Sequence, residues 1–108
     1  MSGRWAREPR AADESEARLQ AQVLELAEVL GWELRYHTAI SERSPAGFPD
    51  LVLCRPRDGR LLIAELKRER GRVSPEQRAW LDGLDTVKHF DVRLWRPSDW
   101  EQIERLLR

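Results

Sequence analysis

Cysteine is all but missing. Cys54 stands alone among 108 residues, so no intramolecular disulfide can hold the fold. Histidine is nearly as scarce: His37 and His89 lie far apart, and no Cys/His cluster has the spacing of a structural zinc site. No apolar run approaches the ~20 residues needed to cross a bilayer, and no secretory signal is visible. The expectation is a cytoplasmic protein with no membrane partner. Net charge is absent as well, because 19 basic residues balance 19 acidic ones. A nucleic-acid binder usually carries an excess of positive charge, so any basic footprint here must be local.

What is present is enough for one folded unit. A hydrophobic content of 41% supports one core, which argues against wholesale disorder. Residues 1–12 have Arg4, Arg7 and Arg10 but no apolar period, and read as a mobile arm before a single domain over 13–108. From Asp13 to Leu30, Leu19, Val23, Leu26, Ala27 and Leu30 share one helical stripe. Asp13 can cap that helix with Glu16 three residues on, and Gly31 stops it. Trp32 to Thr38 predicts a strand with Trp32, Leu34 and Tyr36 on one face. Two further strands, Asp50–Arg57 and Arg60–Lys67, flank Asp58-Gly59, a strong hairpin turn. Ser74, Pro75 and Gln77 form a helix start with a capping box, and Trp80, Leu81 and Leu84 give its buried side. Asp91–Arg96 predicts a strand, and Trp100, Ile103, Leu106 and Leu107 a last helix. The order is α-β-β-β-α-β-α, an α/β layer fold with a central mixed sheet flanked by helices.

The chemistry gathers around "GFPD" at 47–50 and "ELK" at 65–67. A tight turn on Asp58-Gly59 pairs Arg57 with Arg60, placing Asp50 across from Lys67 and Val52 across from Glu65. Pro56 then falls opposite Leu61, at a site that does not need its missing N–H. Asp50, Glu65 and Lys67 share one face, with the two carboxylates about 7 Å apart at Cβ. Oxygen ligands beside a lysine suit a hard cation such as Mg²⁺ or Mn²⁺, which can bind a phosphate oxygen and activate water. Lys67 could orient that water or stabilise transition-state charge. Pro49 stiffens the entry to the site, and Gly47 leaves room for a nucleic-acid backbone. The bland reading is an amphipathic strand whose solvent side happens to hold these charges.

These residues resemble the PD-(D/E)XK nuclease superfamily, and within it the VRR-NUC family, over nearly the whole chain from Glu16 onward. "GFPD" resembles the family's Gly-x-Pro-Asp, "ELK" its Glu-x-Lys, "SPEQRAWL" at 74–81 the helix bearing its glutamine, and "ESEARLQ" its first helix. The resemblance implies divalent-metal ligation by Asp50 and Glu65 with the main-chain carbonyl of Leu66. It also implies a catalytic role for Lys67, and supporting roles for Gln77 and for Glu16, itself a further metal ligand. Both Gln77 and Glu16 could instead be capping-box residues, and Glu14 could replace Glu16 by a small shift. The chain departs from the family at "LDTVKHFDV", where many relatives have a small-residue turn with Gly.

The functional expectation is a Mg²⁺- or Mn²⁺-dependent, structure-selective DNA endonuclease without a small-molecule cofactor. Arg68, Arg70 and Arg72 would contact the phosphates. Five Trp suggest an interface, and with it a homodimer acting on branched DNA as a Holliday-junction resolvase. The alternative is a non-catalytic DNA-binding or assembly module that keeps the nuclease fold. A complete acid-acid-lysine set argues against that alternative.

Overall fold

Ser15 opens the first helix. In the computed structural model, which describes residues 5, 15–38 and 45–108, helix α1 spans Glu16–Val29, and the Ser15 hydroxyl accepts from the Arg18 N–H. The expected cap, Asp13, lies outside the described residues, as do Glu14 and the arginines of the arm. With Ser15 as cap, Glu16 is the first helical residue and not the third. It therefore has no part in a capping box, and its carboxylate is free for other work. At the other end Gly31 takes φ +85°, the Gly31 N–H reaches the Glu28 carbonyl and the Trp32 N–H reaches that of Ala27. These two bonds are a Schellman stop, as the glycine predicts.

Strand β1 is shorter than the sequence suggests, covering Leu34–His37. Trp32 does not join it. Its side chain is fully buried and donates its indole N–H to the Leu107 carbonyl, whereas Leu34 and Tyr36 are exposed. Strand β2 is Leu51–Arg55 and β3 is Arg60–Leu66. The hairpin between them also differs from expectation. Residues Pro56–Asp58 form a 3-10 turn, closed by Gly59 in the left-handed region. Proline, with fixed φ and no N–H, opens such a turn more readily than it sits within a strand. The wider turn pairs Arg55 with Arg60 and Leu51 with Ala64, a slip of two residues from the expected register. Because side chains alternate with period two, a two-residue slip changes partners but not faces.

Helix α2 is Pro75–Asp85, β4 is Asp91–Trp95, and after a 3-10 turn at Pro97–Asp99 the chain ends in α3, Trp100–Leu107. The sheet order is β1-β2-β3-β4, antiparallel except for the parallel β3–β4 pair that α2 connects. This is the mixed sheet that the order of elements predicts. The turn after α2 lacks the family's glycine, and His89 takes φ +77° there instead.

Each sheet face has its own core. Leu51, Leu53, Leu62, Ala64, Leu66 and Trp95 meet Leu19, Val23 and Ala27 of α1 and Ile103 and Leu107 of α3. On the other face Val92 packs with Leu81 of α2 and with Trp5. Trp5 is buried and donates its indole N–H to Asp82. Trp5, Trp32 and Trp95 are buried and Trp80 and Trp100 are half-buried. Three of the five tryptophans are thus core residues, and none of the five is among the exposed large hydrophobics.

Candidate metal centre

The wider hairpin turn brings the carboxylates closer than the sequence reading implied. Leu51 and Ala64 are the last pair of the β2–β3 ladder, so one step further Asp50 stands across from Glu65, in place of Lys67. The Asp50 carboxylate accepts the Leu66 N–H at 2.8 Å. In an extended strand the N–H and C=O of one residue point the same way, so the Leu66 carbonyl also emerges on the Asp50 side.

Several contacts fix Asp50 in place. Thr38, just beyond β1, donates its N–H to the Asp50 carbonyl at 2.7 Å and its hydroxyl to the Pro49 carbonyl at 2.8 Å. Phe48 meets Trp80 of α2 edge-to-face with ring centroids 5.0 Å apart. Gly47 has φ +86°, and a Cβ there would lie 2.4 Å from the Glu76 backbone. The space that a side chain at Gly47 would need is filled by the first turn of α2. Glycine is required there for loop-on-helix packing, a constraint that stands beside the expectation that it leaves room for a nucleic-acid backbone.

Glu65 is 2% exposed. Its Oε2 accepts from the Gln77 side-chain amide at 3.0 Å, with the Lys67 ammonium 3.8 Å away. Its Oε1 is buried with no hydrogen-bond partner. Burial, and then the nearby Asp50 carboxylate, push the Glu65 carboxyl up to about 8, against a smaller opposing pull from Lys67. Gln77 serves both of its candidate roles. Its Oε1 accepts the Ser74 N–H and its own N–H donates to the Ser74 hydroxyl, while Nε2 holds Glu65.

Glu16 completes the group. One carboxylate oxygen each from Glu16, Asp50 and Glu65 lie within 4.8 Å of one another. Ligand oxygens around a Mg²⁺ ion are roughly 3 to 4 Å apart, from metal–oxygen distances of about 2.1 Å in an octahedron. Small side-chain rotations would close this triad on a cation, and the orphaned Glu65 Oε1 supplies a ready ligand atom. The donor set is entirely oxygen, which fits a hard divalent ion.

Lys67 leaves the sheet directly after β3, its N–H bound to the Trp95 carbonyl at 2.9 Å, and its side chain is only 12% exposed. Arg68, Arg70 and Arg72 follow on an exposed loop. That loop is tied down by residues to which the sequence reading gave no role. Arg96 donates from one nitrogen to the carbonyls of Arg68, Glu69 and Gly71 at 2.8, 3.0 and 2.8 Å. Buried Glu69 accepts from the N–H and hydroxyl of Ser98. Thr38, Arg96 and Glu69 carry no motif. Their work depends on contacts 11 to 29 residues away in the chain, to which local pattern is blind.

A family model described as VRR-NUC domain matches residues 7–96. No curated protein and no solved structure gives a match. No helix among the described residues is long and apolar enough to cross a membrane.

Proposed function

The chain belongs to the VRR-NUC family, a nuclease family acting on DNA, and from that premise we propose that it is a divalent-metal-dependent endonuclease selective for branched DNA. One observation carries the metal dependence: a buried carboxylate oxygen without a partner on Glu65, with oxygens of Asp50 and Glu16 close by. An ion pair or core role would have given that atom a donor.

Asp50, Glu65, the Leu66 carbonyl and Glu16 would hold Mg²⁺ or Mn²⁺. The ion, when bound, supplies Lewis acidity toward a phosphate oxygen and lowers the pKa of a coordinated water. Lys67 orients the attacking water and stabilises charge as it builds on the non-bridging oxygens. The water oxygen bonds to phosphorus, one P–O ester bond breaks, and the proton given up by water ends on the departing oxygen. Gln77 holds Glu65 in place by its amide and is a positioning residue. Arg68, Arg70 and Arg72, on a loop fixed by Arg96, grip the flanking phosphates.

The working form is a homodimer that presents two such sites to a four-way junction. Cleavage of a junction, a flap and a plain duplex with Mg²⁺, Mn²⁺ or EDTA tests the proposal. Junction cutting that EDTA abolishes, and that Asp50→Ala and Glu65→Ala both lose while remaining folded, is the expected result. Cutting that survives EDTA, or either substitution, would remove the metal site from the mechanism.

A further inference from the structure

The sheet face that carries the carboxylates is covered unevenly. Helix α2 packs on its β4 side, with Leu81 against Val92. On the β1–β2 side the face is open: Leu34 is 58% and Tyr36 57% exposed, and Val52 and Cys54 are half-buried. Among the described residues Tyr36 is the only aromatic in the group of large exposed hydrophobics, and it belongs to neither core. Phe48 and Trp80, also beside the site, are half-buried and packed on each other. Tyr36 pairs with Val52, and the next step on the same face sets Thr38 against Asp50, joined by the Thr38 N–H. Tyr36 and Asp50 are therefore diagonal neighbours across two strands, with Cβ atoms roughly 7 Å apart. An exposed ring on an open sheet face is the device by which sheets hold unpaired bases. Here it stands one nucleotide's reach from the carboxylates.

We infer that Tyr36 stacks on the base next to the phosphate held at the carboxylates, so that the substrate must offer an unpaired nucleotide beside the bond to be cut. The inference rests on the nuclease reading and adds the feature by which a branch is recognised. The parts lie in the order in which a strand would meet them. Tyr36 is on β1, Asp50 enters β2 and Glu65 is on β3. Beyond Lys67 comes the loop of Arg68, Arg70 and Arg72, tied to Arg96 and Ser98 after β4. A single strand laid across this end of the sheet sets one base on Tyr36, the adjoining phosphate at the carboxylates and the following phosphates at the arginines.

Energy decides which DNA can use this path. In a plain duplex every base is paired and stacked, and freeing one to meet the ring costs unpairing and unstacking. At a branch point pairing is already interrupted, so the same contact comes without that cost. The preference is for structure and not for sequence, because every base has a flat face to offer and Tyr36 reads no base edge. The ring makes the contact, so the tyrosine hydroxyl is dispensable.

A cycle that changes protein and DNA together tests the contact. The probe is a fluorescent forked duplex with unpaired arms, bound to the full chain in Ca²⁺ and read by anisotropy. In matched probes an abasic site replaces each nucleotide flanking the branch in turn. Tyr36→Ala should weaken binding of the intact fork on the order of tenfold. One abasic position should weaken wild-type binding equally, and the two changes together should cost no more than either alone. Tyr36→Phe and Tyr36→Trp should bind as wild type does, and the melting curve and Mn²⁺ affinity of Tyr36→Ala should be unchanged. Losses that add at every abasic position would overturn the inference. So would a Tyr36→Ala chain that binds the intact fork as tightly as wild type, or a Tyr36→Phe chain that binds as poorly as Tyr36→Ala. Cleavage of the same fork in Mg²⁺ tests the nuclease reading separately: a chain that shows the coupling but never cuts keeps the stacking contact and loses the nuclease.

Discussion

Glu65 is the residue on which site and stability conflict. Its folded pKa of about 8 lies above the ordinary value of 4.5, so between those pH values the folded state holds a proton that the unfolded chain has lost. The stability this confers is complete below about pH 4.5 and is lost as pH rises through about 8. Without metal, the melting temperature should fall across that window, and Glu65→Gln should flatten the fall. An unchanged slope in Glu65→Gln would move the titration to another group. Ligation needs the carboxylate, so Mg²⁺ should raise the melting temperature more at pH 8 than at pH 6. Lys67 is separable from this. Lys67→Ala should reduce turnover by orders of magnitude while metal affinity holds or rises, since a neighbouring positive charge is gone. Mn²⁺ titration checks it, and joint loss of affinity and turnover would make Lys67 structural.

Among elements, the segment from Lys67 to Val73 shows how a neutral protein can be locally basic. Three exposed arginines follow Lys67 on a loop that Arg96 and the Glu69–Ser98 contact hold in shape. A fixed loop loses little entropy when it meets phosphate. Neutralising Arg68, Arg70 and Arg72 together should weaken DNA binding and lower the salt dependence by about one log–log unit per lost contact. Equal slopes for variant and wild type would put the phosphate grip elsewhere. Helix α2 matters just as much to the site, because its first turn carries Gln77 and seats Gly47, and its Trp80 meets Phe48. A side chain at Gly47 would collide with the Glu76 backbone, so the loop that leads to Asp50 or the first turn of α2 would have to shift.

The whole molecule is closed at the end away from the carboxylates by Arg55. Its side chain is 3% exposed and donates to the carbonyls of Leu30, Leu107 and Arg108 and to both oxygens of Asp58. The guanidinium also lies 4.8 Å from the Trp32 ring centroid. One residue thus satisfies the terminal carbonyls of α1 and α3 and ties them to the hairpin. Arg55→Leu removes all of these bonds at once, leaving the Leu107 carbonyl only the Trp32 indole and the Leu30 carbonyl only Arg57 from the side chains, and should cost about 2–4 kcal/mol in denaturant unfolding. A loss under 0.5 kcal/mol, the size typical of surface substitutions, would show that water replaces the guanidinium.

The sequence by itself determined which residues could do chemistry and in what order the elements run. Asp50 behind Pro49, Glu65 two before Lys67, and Gln77 after a Ser-Pro start are local patterns, and so is the period that marks each helix. Parity along a strand is local too, so Asp50, Glu65 and Lys67 share a face whichever way the hairpin turns. Only the tertiary structure decided the rest. The register depended on whether Pro56 joined a strand or opened a turn, and that choice set Asp50 across from Glu65. The choice between Glu16 as ligand and Glu16 as capping residue rested on a two-residue shift of the helix start, from Asp13 to Ser15 as cap. Trp32 left its strand because the end of α3 offered its indole a carbonyl. The raised pKa of Glu65 needed helix, hairpin and loop to close over one carboxylate, and burial is a property of the assembled fold that no short stretch of chain contains.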